Sequence, residues 1–225
     1  MCGRFTLTLE AAVLQQQLRL IQVPEEWIPR YNISPSQNIA IIRDADEPKL
    51  DMLRWGLIPF WAKSVDVGYS MINARAETIA EKPSYKQSFK LRRCLIPADG
   101  FYEWKKSPDK KVPSTPFYIK LKSDPLFFFA GIWDAWKQPG TEETIQSCTI
   151  ITTAPNSLMA PIHDRMPVIL DRSMAWEWLN PRSEPELKEL LKPFDPSLMM
   201  AYPISRLVNS PSNDSPQCVQ PEESL

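Results

Sequence analysis

PFYIKLKSDPLFFFAGIWD (116–134) holds two runs rich in aromatic and branched residues, broken once at Ser123-Asp124-Pro125. Such runs read as strands, and a Ser-Asp-Pro break reads as a turn. PFYIKLK (116–122) and PLFFFAGIWD (125–134) therefore predict a β-hairpin. Working outward, LRRCLIP (91–97) and IQSCTIITT (145–153) are further strands. NIAIIR (38–43) and KLDMLRWGL (49–57) form a pair around the acidic turn DADEP, and RMPVIL (165–170) and MMAYPIS (199–205) are shorter runs of the same kind. Helical signals are fewer. Thr8 reads as the N-cap of a helix over about residues 9–21, with Leu14, Leu18 and Ile21 on one face. Residues 173–179 and 184–192 carry the other helical patterns, each near a Ser or Pro start.

The 225 residues suffice for one large domain or two small ones, and no internal repeat or linker divides them. The chain has 23 prolines against 6 glycines. That is about twice the average proline usage. Many prolines flank the apolar runs, as in GLIPFWAK, CLIPADG and MAPIHDRMP. Proline stops helices and ends strands, so short strands joined by stiff loops are expected. The expected fold class is α+β: a single strand-rich domain over residues 1–209, its mixed and antiparallel sheets curled into a barrel-like core with a few peripheral helices. From Ser210 the sequence SPSNDSPQCVQPEESL is polar and Pro/Ser-rich, which predicts a disordered tail over 210–225.

Composition excludes several classes. No run approaches 18 apolar residues, so no membrane span is expected. MCGRFTLTLEAA lacks a basic leader and an apolar core, which reads as no signal peptide and a cytoplasmic protein. The four cysteines are widely spaced, without C-x-x-C, and there is one histidine. Neither a metal site nor a cofactor is expected, and the thiols are expected to be reduced. A formal net charge of −1 means that any nucleic-acid binding must come from a local basic patch.

Four stretches carry chemistry. In MCGRF, loss of Met1 would give Cys2 a free α-amine beside its thiol. An α-amine titrates at about 7.7–8.0, so part of it is neutral near pH 7.5. A neutral amine attacks an aldehyde to form an imine, and the adjacent thiol closes on the imine carbon as a five-membered thiazolidine. A strand start that happens to hold cysteine is the plainer reading. In MINARAET (71–78), Asn73 and Arg75 share a face of an extended segment. One offers donor and acceptor, the other a phosphate fork; a polar strand end fits equally. In PADGFYEWKK (97–106), Glu103 lies between Tyr102 and Trp104. It is either an acid–base group raised by apolar neighbours or a surface glutamate on an edge strand. In APIHDRMPVIL (160–170), His163 sits in a loop stiffened by Pro161 and Pro167 and followed by Asp164 and Arg165. It reads as a proton-transfer group or as a structural histidine.

MCGRF, RYNISPSQ, RWGLIPFWAK, INARAET, CLIPADGFYEW and IHDRMPVIL, in this order, resemble the SOS response-associated peptidase family of abasic-site processing proteins. The resemblance runs from Cys2 to about Asn209. It implies binding to single-stranded DNA that carries an abasic site, including single-strand/duplex junctions, by a monomer that joins the nucleoid when bound. Cys2 would form the thiazolidine with the sugar aldehyde. Asn73 would bond the opened sugar, Glu103 would move protons at the α-amine, and His163 would open the closed sugar. Arg4, Arg75 and Arg165 would hold phosphates, while Asn32, Pro35, Trp61 and Thr152 would line the channel, with Trp61 as a stacking platform or wedge. Lyase cleavage by β-elimination and self-processing ahead of Cys2 are also implied.

Two other classes use the same residues. One is a hydrolase with Cys2 as an N-terminal nucleophile on an acyl substrate and His163 or the α-amine as base. The other is a single-strand binding module that needs no thiol.

Overall fold

The computed structural model describes residues 2–222. Met1, whose removal the sequence reading expects, and residues 223–225 lie outside that range. The chain runs β1 (Phe5–Leu7), α1 (Ala11–Leu18), β2 (Arg30–Ile33), β3 (Asn38–Ile41), β4 (Asp51–Trp55) and β5 (Asn73–Arg75). It continues through α2 (Pro83–Leu91), β6 (Arg93–Ala98), β7 (Gly100–Lys105), β8 (Thr115–Leu121), β9 (Phe127–Lys137) and β10 (Thr144–Thr153). It ends with β11 (Met166–Pro167), β12 (Ile169–Leu170), α3 (Arg172–Leu179), α4 (Glu184–Glu189) and β13 (Met199–Pro203).

The strands form two sheets among the described residues. One has the order β13-β8-β7-β1-β2. The other has the order β12-β9-β10-β4-β3, with β5 and β11 paired to β10 and β6 paired to β9. The α+β, strand-rich reading is right in class, but neither sheet closes. No pairing joins β13 to β2 or β12 to β3, so the expected barrel-like core is instead two packed sheets. Aromatic residues fill the space between them. Phe5 of β1 meets Trp55 of β4 edge-on at 5.3 Å and Phe129 of β9 at 5.6 Å. Phe101 of β7 meets the same Phe129 ring at 6.0 Å. Trp55, Phe5, Phe101 and Phe129 are among the largest fully buried side chains, and such rings remove much apolar area from water.

The hairpin expected around Ser123-Asp124-Pro125 does not exist. β8 pairs with β7 and β13, whereas β9 pairs with β6, β10 and β12. The turn carries the chain from one sheet to the other, and turn chemistry alone does not distinguish a hairpin from such a crossing. The helix start also differs. α1 begins at Ala11, and Thr8 gives its N–H and its hydroxyl to Asp99 at 2.6 and 2.5 Å instead of capping. Leu14 and Leu18 are buried, while Ile21 lies past the helix and is exposed. α2 is an element the strand-dominated reading passes over. Pro83 at its first turn was the available signal, and Leu91 ends this helix instead of starting a strand.

The tail expected to be disordered is packed through residue 222. Asp214 pairs with the Arg30 guanidinium and accepts the backbone N–H groups of Tyr31 and Asn32. Cys218 is buried against Tyr102, Tyr118 and Ile204. Pro221 bridges to Ile204. Composition predicted solvation, but Asp214 here satisfies part-buried backbone N–H groups, which the polar signal cannot reveal.

Candidate active site

β1 lies between β2 and β7. The β1–β7 register, Phe5 opposite Phe101 and Thr6 opposite Gly100, continues outward through the Tyr102 N–H to Arg4 carbonyl bond of 3.0 Å. Extending it sets Gly3 opposite Glu103, so the start of the chain runs beside that carboxyl. Gly100 is required for this register. A Cβ there would sit 2.1 Å from the Tyr118 hydroxyl.

Cys2 is fully buried. Its carbonyl accepts the Asn73 side-chain N–H at 2.9 Å. Asn73 opens β5, which runs parallel to β10, with Ile150 as its partner. The Asn73 Oδ1 is buried and has no hydrogen-bond partner among the described residues. Glu103 is 2% exposed and central in its sheet, not on an edge strand. Its Oε2 lies 3.9 Å from the His163 Nε2. His163 sits in a loop built by Asn156, whose Oδ1 accepts the N–H groups of Leu158 and Met159. The His163 N–H then returns to the Met159 carbonyl at 2.9 Å. The sequence's four chemical stretches thus converge on one site.

Burial pushes the Glu103 carboxyl up to about 7, and the Asp164 carboxylate adds to the rise. Burial also pushes the Cys2 thiol far above its ordinary range, with the Glu103 charge adding. Burial lowers the His163 pKa, which favours the neutral ring. Its Nδ1 lies 2.9 Å from the Asp164 carboxylate and 3.1 Å from the Arg165 N–H. A neutral ring serves only one of these. Accepting from Arg165 leaves Nε2–H facing Glu103, the assignment consistent with the lowered pKa.

The expected DNA contacts divide. Arg75 is exposed, and Trp61 is 51% exposed on a loop closed where Gly56, at φ +127°, crosses Gly68. Pro35 is half-buried. Arg4 gives Nη1 to Asn32 Oδ1 at 2.7 Å and to the Val208 carbonyl at 2.8 Å, and its guanidinium stands 5.7 Å from the Trp104 ring. Asn32 and Thr152 are engaged within the protein. Both are buried. Asn32 spreads its amide over the carbonyls of Val208, Ser210 and Asn213, so it secures Arg4. The Thr152 carbonyl accepts Arg165 Nη2 at 2.7 Å. Sequence reasoning gave no role to Glu77, two residues after Arg75. It takes the Arg165 fork at 2.6 and 2.9 Å.

An open cavity of about 320 Å³ beside His163 is lined by Trp104, Lys106 and residues 160–164. A more apolar cavity of about 290 Å³, lined by residues including Trp27, Ile28 and Ile33, contains none of the four converging groups.

The two-sheet α+β fold thus sets a buried cysteine against Asn73 and a buried carboxyl beside the one histidine. The chain belongs to the SOS response associated peptidase (SRAP) family, matched over residues 1–211. It is 52% identical to the abasic site processing protein YoqW of Bacillus subtilis, over 98% of this chain and 99% of that protein. It is 36% identical to the abasic site processing protein HMCES of Xenopus tropicalis, over 87% of this chain and 67% of that protein. A crystal structure of a protein from Bacteroides thetaiotaomicron has the same fold, with a TM-score of 0.88 at 33% identity over 98% of this chain and all of that one.

Proposed function

We propose that this protein processes abasic sites in single-stranded DNA by covalent capture at Cys2. The relatives named for abasic-site processing support the substrate class. With Met1 removed, the Cys2 α-amine adds to the C1′ aldehyde of the opened sugar. Loss of water gives an imine. The Cys2 sulfur then bonds to C1′ as its proton leaves and the imine nitrogen gains one, which closes the thiazolidine. Asn73 holds the Cys2 carbonyl, and its unpartnered Oδ1 is an acceptor for a sugar hydroxyl or the ring N–H. Glu103, poised to about 7, takes and returns the protons. His163 opens the hemiacetal. The same imine acidifies the C2′–H, so slow ring closure diverts it to β-elimination of the 3′ phosphate. Hydrolysis of the bond preceding Cys2 completes the activity, and the protein acts as a monomer. Arg4, Arg75 and Arg165 hold phosphates, and Trp61 stacks beside the lesion at a junction.

One observation favours capture over the hydrolase. A cysteine hydrolase needs a thiol shifted toward thiolate. Here burial shifts the Cys2 thiol the other way, upward, and the Glu103 charge adds to that shift. A protonated thiol beside a base suits closure on an imine, which is already electrophilic.

The test mixes the protein, its mass confirming loss of Met1, with single-stranded DNA carrying one abasic site, without reductant. A heat-stable shifted band on a denaturing gel, absent with Cys2→Ala, is the expected result. No band with the native protein would move Cys2 to acyl chemistry, to be tested with peptide substrates.

A further inference from the structure

Arg165 is already occupied. Its Nη1 and Nη2 form a two-point pair with the Glu77 carboxylate at 2.6 and 2.9 Å. That planar fork is the geometry with which arginine takes a phosphate. Glu77 is half-exposed on its side chain, whereas Arg165 is 15% exposed. The carboxylate therefore stands on the solvent side of the pair, where an incoming phosphate would approach. Arg75 is close enough to help hold Glu77 ionised.

Arg165 has an anchor besides Glu77. The Thr152 carbonyl accepts Nη2 at 2.7 Å, and β11, which begins one residue later, pairs Pro167 with Thr152 and Met166 with Thr153. Its Nε is buried and lacks a hydrogen-bond partner among the described residues, so its donors are not exhausted. Removing the Glu77 charge thus frees the fork without freeing the arginine. Thr152 would then still hold Arg165 in place while its fork faces solvent.

We propose that Glu77 is a specificity-determining residue: an internal phosphate mimic that occupies Arg165 and holds back binding to undamaged single strands. The proposal rests on the DNA-directed reading above. A phosphate must displace or share Glu77, and only a strand also anchored by its lesion at Cys2 gains enough to do so at physiological salt. One fewer negative charge about 6 Å from a phosphate gives about threefold tighter binding in a water-like dielectric. Recruiting Arg165 to one phosphate steepens the dependence of log K on log salt by about 0.7 for a single strand.

The experiment measures binding of intact single-stranded DNA across a salt series for the native protein, Glu77→Gln, Arg165→Ala and the double variant. Glu81→Gln, an exposed carboxylate nearby, controls for net charge. The expected result is tighter binding and a steeper salt slope for Glu77→Gln, absent on the Arg165→Ala background and not reproduced by Glu81→Gln. Unchanged or weaker binding by Glu77→Gln overturns the proposal. So does an equal gain on the Arg165→Ala background. If native protein captures the abasic strand while Glu77→Gln matches it on intact DNA, the gate alone fails. Native protein that neither binds nor captures removes the DNA reading and the gate with it.

Discussion

Glu103→Gln separates the electrostatics of this site from its packing. Folding raises the Glu103 carboxyl from its ordinary 4.5 to about 7, chiefly by burial. The native state therefore binds this proton more tightly than the unfolded chain does. The resulting stability is fully present below pH 4.5 and is lost as pH rises through about 7. A difference of 2.5 pH units (7 minus 4.5) corresponds to about 3 kcal/mol. Glu103 is 2% exposed, so solvent screening removes little of this. Glutamine preserves shape and does not ionise. The assay is urea unfolding of both proteins at pH 5 and pH 9. The native protein should lose about 3 kcal/mol more than Glu103→Gln between these pH values. On abasic DNA, native capture should rise with pH through about 7 as the carboxylate forms, while Glu103→Gln stays slow and flat. Parallel stability curves for the two proteins would refute the claim that burial sets this proton's affinity.

Cys2→Ser should form an imine but no stable ring; a heat-stable serine adduct without reductant would contradict ring closure by sulfur. His163→Ala should bind DNA normally and capture the abasic strand about a hundredfold more slowly, read from a time course of adduct formation. Gly100→Ala should destabilise the fold by about 3 kcal/mol in denaturant, since the new methyl meets the Tyr118 hydroxyl at 2.1 Å. Asp214→Ala should cost about 2 kcal/mol, because the backbone N–H groups of Tyr31 and Asn32 lose their acceptor.

The strands and the chemical groups were legible because their signals are local. Alternation and β-branching mark NIAIIR, and Asn38–Ile41 indeed pairs with residues 51–54. What was not legible depends on partners far along the chain. Ser123-Asp124-Pro125 is a turn whichever sheet receives the next strand. Thr8 has a capping side chain, but Asp99, 91 residues away, takes it. The polar segment after Ser210 looks solvated until Tyr31 and Asn32 are found to need its carboxylate. Glu77 was in plain view within INARAET, yet its pairing with Arg165 spans 88 residues.

The clasp of Arg4 and Asn32 on Val208, Ser210 and Asn213 also bears on synthesis. Cys2 is synthesised about 200 residues ahead of the Val208 carbonyl that secures Arg4 and of the Ser210 and Asn213 carbonyls that secure Asn32. Asn73, Glu103 and His163 emerge in between. A nascent chain thus carries the Cys2 thiol long before the side chains packed around it exist. The surroundings of Cys2 are assembled by the closing of the whole polypeptide, so ribosome-bound fragments ending before residue 208 should lack them even though Cys2 is already present.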